Sequence, residues 1–99
     1  MNLQQFEQSL TSPVLPNHLS PALQALWLDV KGDWDGAHEK IQDDPSAQAS
    51  WIHAYLHRKE GDESNARYWY SRAGKKFPLV SLQEEWRVIA TALLAESVN

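Results

Sequence analysis

Two histidines and a glutamate stand at a spacing that suits a metal ion. His53 and His57 are four residues apart, which puts both imidazoles on one face of a helix, and Glu60 follows a turn later. Two histidines and a carboxylate form a donor set for zinc or iron. The HExxH motif of metalloproteases is absent, because no glutamate follows His53. His38 and Glu39 add ligands only if the fold brings a neighbouring helix close.

These histidines also have alternative roles that involve no metal. Histidines four residues apart on a helix are more often hydrogen-bonded structural residues or solvated side chains, so the sequence predicts no cofactor and keeps a metal as the alternative. The chain contains no cysteine, which excludes disulfides, thiolate metal sites and cysteine nucleophiles. Carboxylates between residues 29 and 44 are explained by helix capping, and no phosphate-binding glycine motif occurs. The sequence therefore names no catalytic residue and favours a protein that is not an enzyme.

Charge and hydropathy limit the classes of ligand that the protein is expected to bind and the compartment in which it is expected to occur. The 99 residues include nine Lys and Arg against thirteen Asp and Glu, a net charge of −4, which disfavours a nucleic-acid ligand. Residues 57–76 are locally basic and carry several aromatic side chains, but acidic residues interrupt them. Their cations are better explained as covering aromatic rings or pairing with an acidic partner. No apolar stretch approaches the ~18 residues of a membrane span, and no signal-like segment is seen, so the cytoplasm is expected.

The elements that position these side chains are all predicted to be helices. Apolar residues recur at helical spacing along the chain, and no run alternates as a strand does. Cap-plus-proline pairs at Ser20-Pro21 and Asp44-Pro45 predict two helix starts, and a capping box at Ser81 predicts another. The prediction is one all-α domain of about five to six helices over residues 1–99. Its parts are a short helix with a proline-containing connector (1–18), two helical hairpins (20–78) and a capping helix (81–97).

An internal repeat links the two hairpins. Gly-Asp occurs at residues 32–33 and again at 61–62, a period of 61 − 32 = 29 residues. The second copy continues with small and bulky residues at the spacing of the tetratricopeptide repeat: Gly61, Ala66, Tyr70, Ala73 and Pro78. Residues 20–78 thus resemble that family, with one good and one degenerate unit. Residues 51–74 are also similar to uncharacterised bacterial proteins, a likeness that implies no activity.

The resemblance implies a peptide-binding groove between helical hairpins. Carried onto the helix over residues 46–60, the family pattern turns four side chains toward this groove: Gln48, Trp51, Tyr55 and Arg58. Periodicity favours the opposite orientation, because Trp51 and Tyr55 belong to the strongest apolar arc of that helix, which is typical of a core. Arrays of such repeats need about three units for stability, so two units must bury their exposed apolar face against something else. The final helix or, in a homodimer, a second copy of the chain is expected to cover that face.

The leading functional prediction is therefore a non-catalytic interaction module that binds a peptide or a partner helix. Aromatic and arginine side chains are the usual anchors of such interfaces. Its predicted contact residues are Gln48, Trp51, Tyr55 and Arg58. The alternative is a small metal-binding protein or metal-dependent enzyme. Its predicted ligands are His53, His57 and Glu60.

Tryptophan is frequent for a chain of this length. The five residues are Trp27, Trp34, Trp51, Trp69 and Trp86. Each falls in a different predicted helix, from the second to the sixth. This distribution predicts that one indole per helix fills the space between helices. Trp51 is the one tryptophan for which an exposed position on the surface stays an alternative.

Overall fold

A computed structural model of the chain describes residues 1–96. Over these residues it forms six α-helices and no strand, which confirms the predicted all-α bundle. The helices are α1 (Leu3–Ser9), α2 (Pro21–Val30), α3 (Trp34–Ile41), α4 (Ala47–Glu60), α5 (Glu63–Ala73) and α6 (Leu82–Glu96). The end of the predicted final helix at residue 97 lies outside the described residues.

Hydrogen-bonding side chains fix where the helices begin. The Oγ of Ser20 accepts the backbone N–H of Leu23, and Pro21 takes the first position of α2, as expected. Helix α4 differs from the prediction, because its cap is Ser46, whose Oγ accepts the N–H of Ala49. Asp44 instead accepts the N–H of Ser46 and shapes the turn before the helix.

The repeated Gly-Asp pair plays the same two roles in both hairpins. Gly32 and Gly61 have φ angles of 86° and 91°, in the left-handed region that favours glycine, and each ends a helix. The aspartate that follows caps the next helix: Asp33 accepts the N–H of Gly36, and Asp62 accepts the N–H of Asn65. The chain therefore turns back in the same way after α2 and after α4. Helices α2 and α3 pack as one pair and α4 and α5 as the other.

Helix α4 lies at the centre of the bundle and contacts α2, α3, α5 and α6. Its buried residues cover almost the whole circumference of the helix, which is typical of a central position. They are Ala49, Ser50, Ile52, His53, Ala54, Tyr55, Leu56 and His57. Several of these side chains are polar, so they need hydrogen-bonding partners on the neighbouring helices.

Helix α2 supplies one of these partners, a buried carboxylate. Asp29 is 2% exposed and accepts the hydroxyl of Tyr55 and the ammonium of Lys59, both at 2.8 Å. Burial first, and then the neighbouring Asp29, raise the pKa of Tyr55, so its hydroxyl remains a donor at neutral pH. The two bonds join α2 to α4. The Tyr55 bond is buried, whereas the Lys59 side chain is partly exposed to solvent.

Helix α6 supplies a second buried carboxylate. Glu85 is 3% exposed and accepts the guanidinium of Arg58 at 2.8 Å and the hydroxyl of Tyr70 at 2.6 Å. Arg58 also donates to the carbonyl of Val80, just before α6 begins. Glu85 therefore ties α4, α5 and α6 together at one point.

Tryptophans complete the core on the α6 side. Trp86 is buried and donates its Nε1–H to the carbonyl of Leu26 at 3.0 Å. Trp27 is also buried, and its Nε1–H reaches the carbonyl of Ser9 at 3.3 Å. Phe6 of α1 stacks on Trp86, with 5.6 Å between ring centroids. Helix α1 is held in this way against α6.

We expect Glu85→Ala to lower the free energy of unfolding by about 2–3 kcal/mol, because Arg58 and Tyr70 then lose a buried partner. Chemical denaturation measures the change. Glu84→Ala is the matched control, since Glu84 lies in the same first turn of α6 but is exposed. It is expected to change stability by no more than about 0.5 kcal/mol. Equal losses in the two variants contradict the anchoring role of Glu85.

Candidate metal centre

Three histidines from two helices meet between α3 and α4. His38 comes from α3, and His53 and His57 come from α4. One ring nitrogen from each lies within 4.8 Å of the others, and the Nε2 atoms of His38 and His53 are 3.0 Å apart. Around a tetrahedral zinc ion with bonds of about 2.0–2.1 Å, ligand nitrogens lie about 3.3 Å apart. The His38 and His53 nitrogens are therefore near the separation found in a bound set, and the nitrogen of His57 lies within 4.8 Å of both.

The local sequence of α3 explains why His38 faces the two histidines of α4. Asp33 caps the helix, so Trp34 takes its first position and His38 lies one turn later on the same face. Trp34 donates its Nε1–H to the carbonyl of Leu56 at 2.9 Å, which fixes α3 against α4. The condition set by the sequence, that a neighbouring helix approaches, is thus met for His38.

Glu60 lies behind His57 in this arrangement. Its Oε2 is 2.5 Å from the Nδ1 of His57. A proton held on Nδ1 leaves the lone pair on Nε2, the form in which a neutral imidazole binds a metal. Glu60 is therefore placed to orient His57. Asp62 lies near this pair as well, but it is exposed and caps α5.

Two indoles flank the histidine cluster. Trp69 of α5 stacks on His53, with ring centroids 3.8 Å apart and planes inclined by 15°. Trp34 stacks on His38, with centroids 5.0 Å apart and planes inclined by 12°. Both indoles are half-buried, so Trp51 is not alone in keeping part of its surface, contrary to the prediction. The Trp34–His38 spacing of four residues was readable in the sequence, whereas contact between Trp69 and His53 requires the fold.

The environment favours the neutral form of His38 and His53. Burial and the neighbouring His38 and His57 lower the pKa of His53 to about 4. Burial, followed by His57, also lowers the pKa of His38 from its ordinary value. Each neutral imidazole has one lone pair, so these two rings bind a metal at pH 7 without a net loss of protons. The Nε2–H that joins His38 to His53 must first move to the Nδ1 of its own ring.

Two of the four residues predicted to contact a partner bond instead to α6. Gln48 donates to the Oε2 of Glu96 at 3.0 Å, and Arg58 is bonded to Glu85. Tyr55 is buried at 3% exposure and bonded to Asp29, so the core orientation indicated by periodicity is the one it adopts. The face of α4 that the resemblance assigned to a partner helix is thus occupied by a helix of the same chain.

Trp51 keeps part of its surface. It is half-buried, and the ammonium of Lys75 lies 4.2 Å from its ring centroid. The cleft beside it has a volume of about 200 Å³ and is lined by residues that include Gln48 and Leu93. This is smaller than the ~300–1,000 Å³ typical of ligand pockets. Partner binding by the four residues stays a prediction; Gln48, Trp51 and Arg58 are half-buried, and Tyr55 is buried.

Comparisons with known proteins add no family to this description. A scan against models of protein families, a search of curated proteins and a search of solved structures each returned no match. Within residues 1–96, no helix has the length and apolar character needed to cross a bilayer.

We expect acid to destabilise the fold through His53. Because its pKa is about 4 in the folded chain against an ordinary value of 6.5, the unfolded chain takes up a proton first as the pH falls. This contribution to stability is complete above the unfolded pKa and is lost below it. Between pH 7 and pH 5 the loss is about 2 kcal/mol for His53 alone.

Urea unfolding of the wild type and of His53→Gln at both pH values measures this effect. The variant lacks the titrating ring but keeps a side chain that forms hydrogen bonds. We expect its stability to fall clearly less over the same interval. An equal fall in both proteins assigns the acid sensitivity to other groups and contradicts the buried neutral state of His53.

Proposed function

We propose that this protein binds one divalent transition-metal ion, best matched by zinc, through His38, His53 and His57. The observation that supports this most strongly is the meeting of three ring nitrogens within 4.8 Å, contributed by two helices packed against each other. Three imidazoles form a donor set of zinc sites that keep a fourth position for water or an added ligand.

The surroundings of the histidines favour a nitrogen-binding metal. Imidazole donors suit zinc, copper, nickel and iron, whereas calcium and magnesium prefer oxygen. Glu60 supplies the carboxylate that commonly orients a metal-bound histidine, here His57. Trp34 and Trp69 restrict the rings of His38 and His53 by stacking, so little side-chain freedom remains to be lost on binding. A metal-dependent reaction at the fourth position extends the same proposal.

The relation to tetratricopeptide repeats is a separate proposal. Two helical pairs that turn at Gly32 and Gly61 with nearly equal φ angles support it. In such an arrangement α6 takes the place of the peptide, since Gln48 and Arg58 are bonded to it. We propose the cytoplasm as the compartment, consistent with a chain that contains no cysteine.

Titration of the metal-free protein with Zn²⁺, followed by calorimetry and tryptophan fluorescence, tests the metal proposal. We expect one ion per chain and a change in emission, because two indoles stack on the candidate ligands. His38→Ala removes one ligand and is expected to weaken binding by at least about 100-fold, and Glu60→Gln by about 10–100-fold.

His18→Ala is the matched control, because His18 is exposed and lies outside the cluster. It is expected to leave affinity unchanged. Circular dichroism confirms that each variant keeps its helical content. Stoichiometric binding that disappears equally in His18→Ala, or no binding by the folded wild type, overturns the proposal.

A further inference from the structure

The outer face of α5 has no partner helix among the described residues. Helix α5 packs against α4, and its Tyr70 reaches Glu85 of α6, so the side of α5 turned away from both helices meets solvent. We call this side the α5 outer face. Its residues follow helical spacing and all are exposed: Glu63, Arg67, Tyr68, Ser71 and Arg72. The exposed Lys75 follows Gly74, just beyond the end of the helix.

The charge of this region differs from that of the rest of the chain. Residues 64–81 contain no aspartate or glutamate and four cations, Arg67, Arg72, Lys75 and Lys76. The remainder has five cations (9 − 4) against all thirteen acidic residues, a net charge of −8. Among the described residues, Arg67 is the one cation of the face in a salt bridge, with the exposed Glu63. Within residues 1–96, Arg72 and Lys75 therefore form no salt bridge.

Aromatic rings lie against three of these cations. The guanidinium carbon of Arg67 is 4.4 Å from the ring centroid of Phe77. The guanidinium carbon of Arg72 lies 5.1 Å from the ring centroid of Trp69 and 5.9 Å from that of Tyr68, and Arg72 donates to the Tyr68 hydroxyl. The ammonium of Lys75 lies 4.2 Å from the centroid of Trp51. A cation resting on a ring keeps its N–H donors for a carboxylate. It also loses less side-chain entropy when it binds one.

We infer that the α5 outer face docks a short acidic segment of a partner protein. Carboxylates on such a segment pair with Arg67, Arg72 and Lys75, and Tyr68, which is 54% exposed, offers an aromatic contact. This inference is independent of the metal proposal, since it uses none of the three histidines.

The dimensions and the charge balance favour a peptide over a nucleic acid. Helix α5 has eleven residues, so the face is about 16 Å long. A segment of this length contacts the positive face alone, whereas a longer polyanion also meets the rest of the chain, whose net charge is −8 (5 − 13). Repulsion from that larger part opposes nucleic-acid binding.

Fluorescence anisotropy with a labelled peptide of about eight residues, most of them Glu and Asp with one Leu, tests the inference. We expect saturable binding that weakens as salt rises from about 50 to 200 mM. Arg72→Glu is expected to weaken it by at least about tenfold. Lys40→Glu changes the net charge equally at an exposed position on α3, and is expected to have a much smaller effect.

Three results overturn the inference. The first is no peptide binding by the folded wild type. The second is equal weakening in Arg72→Glu and Lys40→Glu, which assigns the attraction to net charge rather than to the face. The third is tighter binding of a labelled single-stranded RNA of similar length, with the same loss in Arg72→Glu, which makes the face a nucleic-acid site.

Discussion

The burial of polar side chains on α4 determines how the other helices are arranged. A buried hydroxyl or imidazole without a partner costs about 1–3 kcal/mol, so every polar group on a central helix constrains the helix that faces it. Helix α2 supplies Asp29 as the partner of Tyr55, and α6 supplies Glu85 as the partner of Arg58. No buried side-chain nitrogen or oxygen within residues 1–96 lacks a partner. Hydrogen bonds thus fix orientations that apolar packing alone leaves adjustable.

In the histidine cluster, a buried polar group of α4 is paired with a neutral imidazole rather than with a carboxylate. Toward α2 and α6, hydroxyl and cationic donors of α4 meet a carboxylate. Toward α3, the imidazoles of α4 meet another imidazole, that of His38, and Trp69 covers the remaining ring face of His53. Neutral groups that are both donors and acceptors can satisfy one another without a fixed charge. The result is a concentration of nitrogen lone pairs, which is the feature that separates this side of α4 from the other two.

The helices were readable from the sequence because their signals are local. Caps such as Ser20 and Asp33, and glycines such as Gly32, act within one turn of the chain. The spacing of His53 and His57 was local as well, and it identified two of the three histidines of the candidate centre. His38 and Trp69 could not be assigned, because their roles depend on which faces of α3 and α5 pack against α4. Repeat pattern and periodicity also disagreed about α4, since burial on nearly all sides leaves no single apolar face to read.

The position of Glu85 has a consequence for the order of folding. The two helical pairs consist of neighbours in sequence, so their contacts close short loops and form early. Glu85 lies beyond both pairs, yet it completes the bonding of Arg58 and Tyr70. Two hairpins without α6 leave a guanidinium and a phenol that require water, and they leave the apolar side chains beneath α6 uncovered. We therefore expect the docking of α6 to close the core and to couple the folding of the described helices.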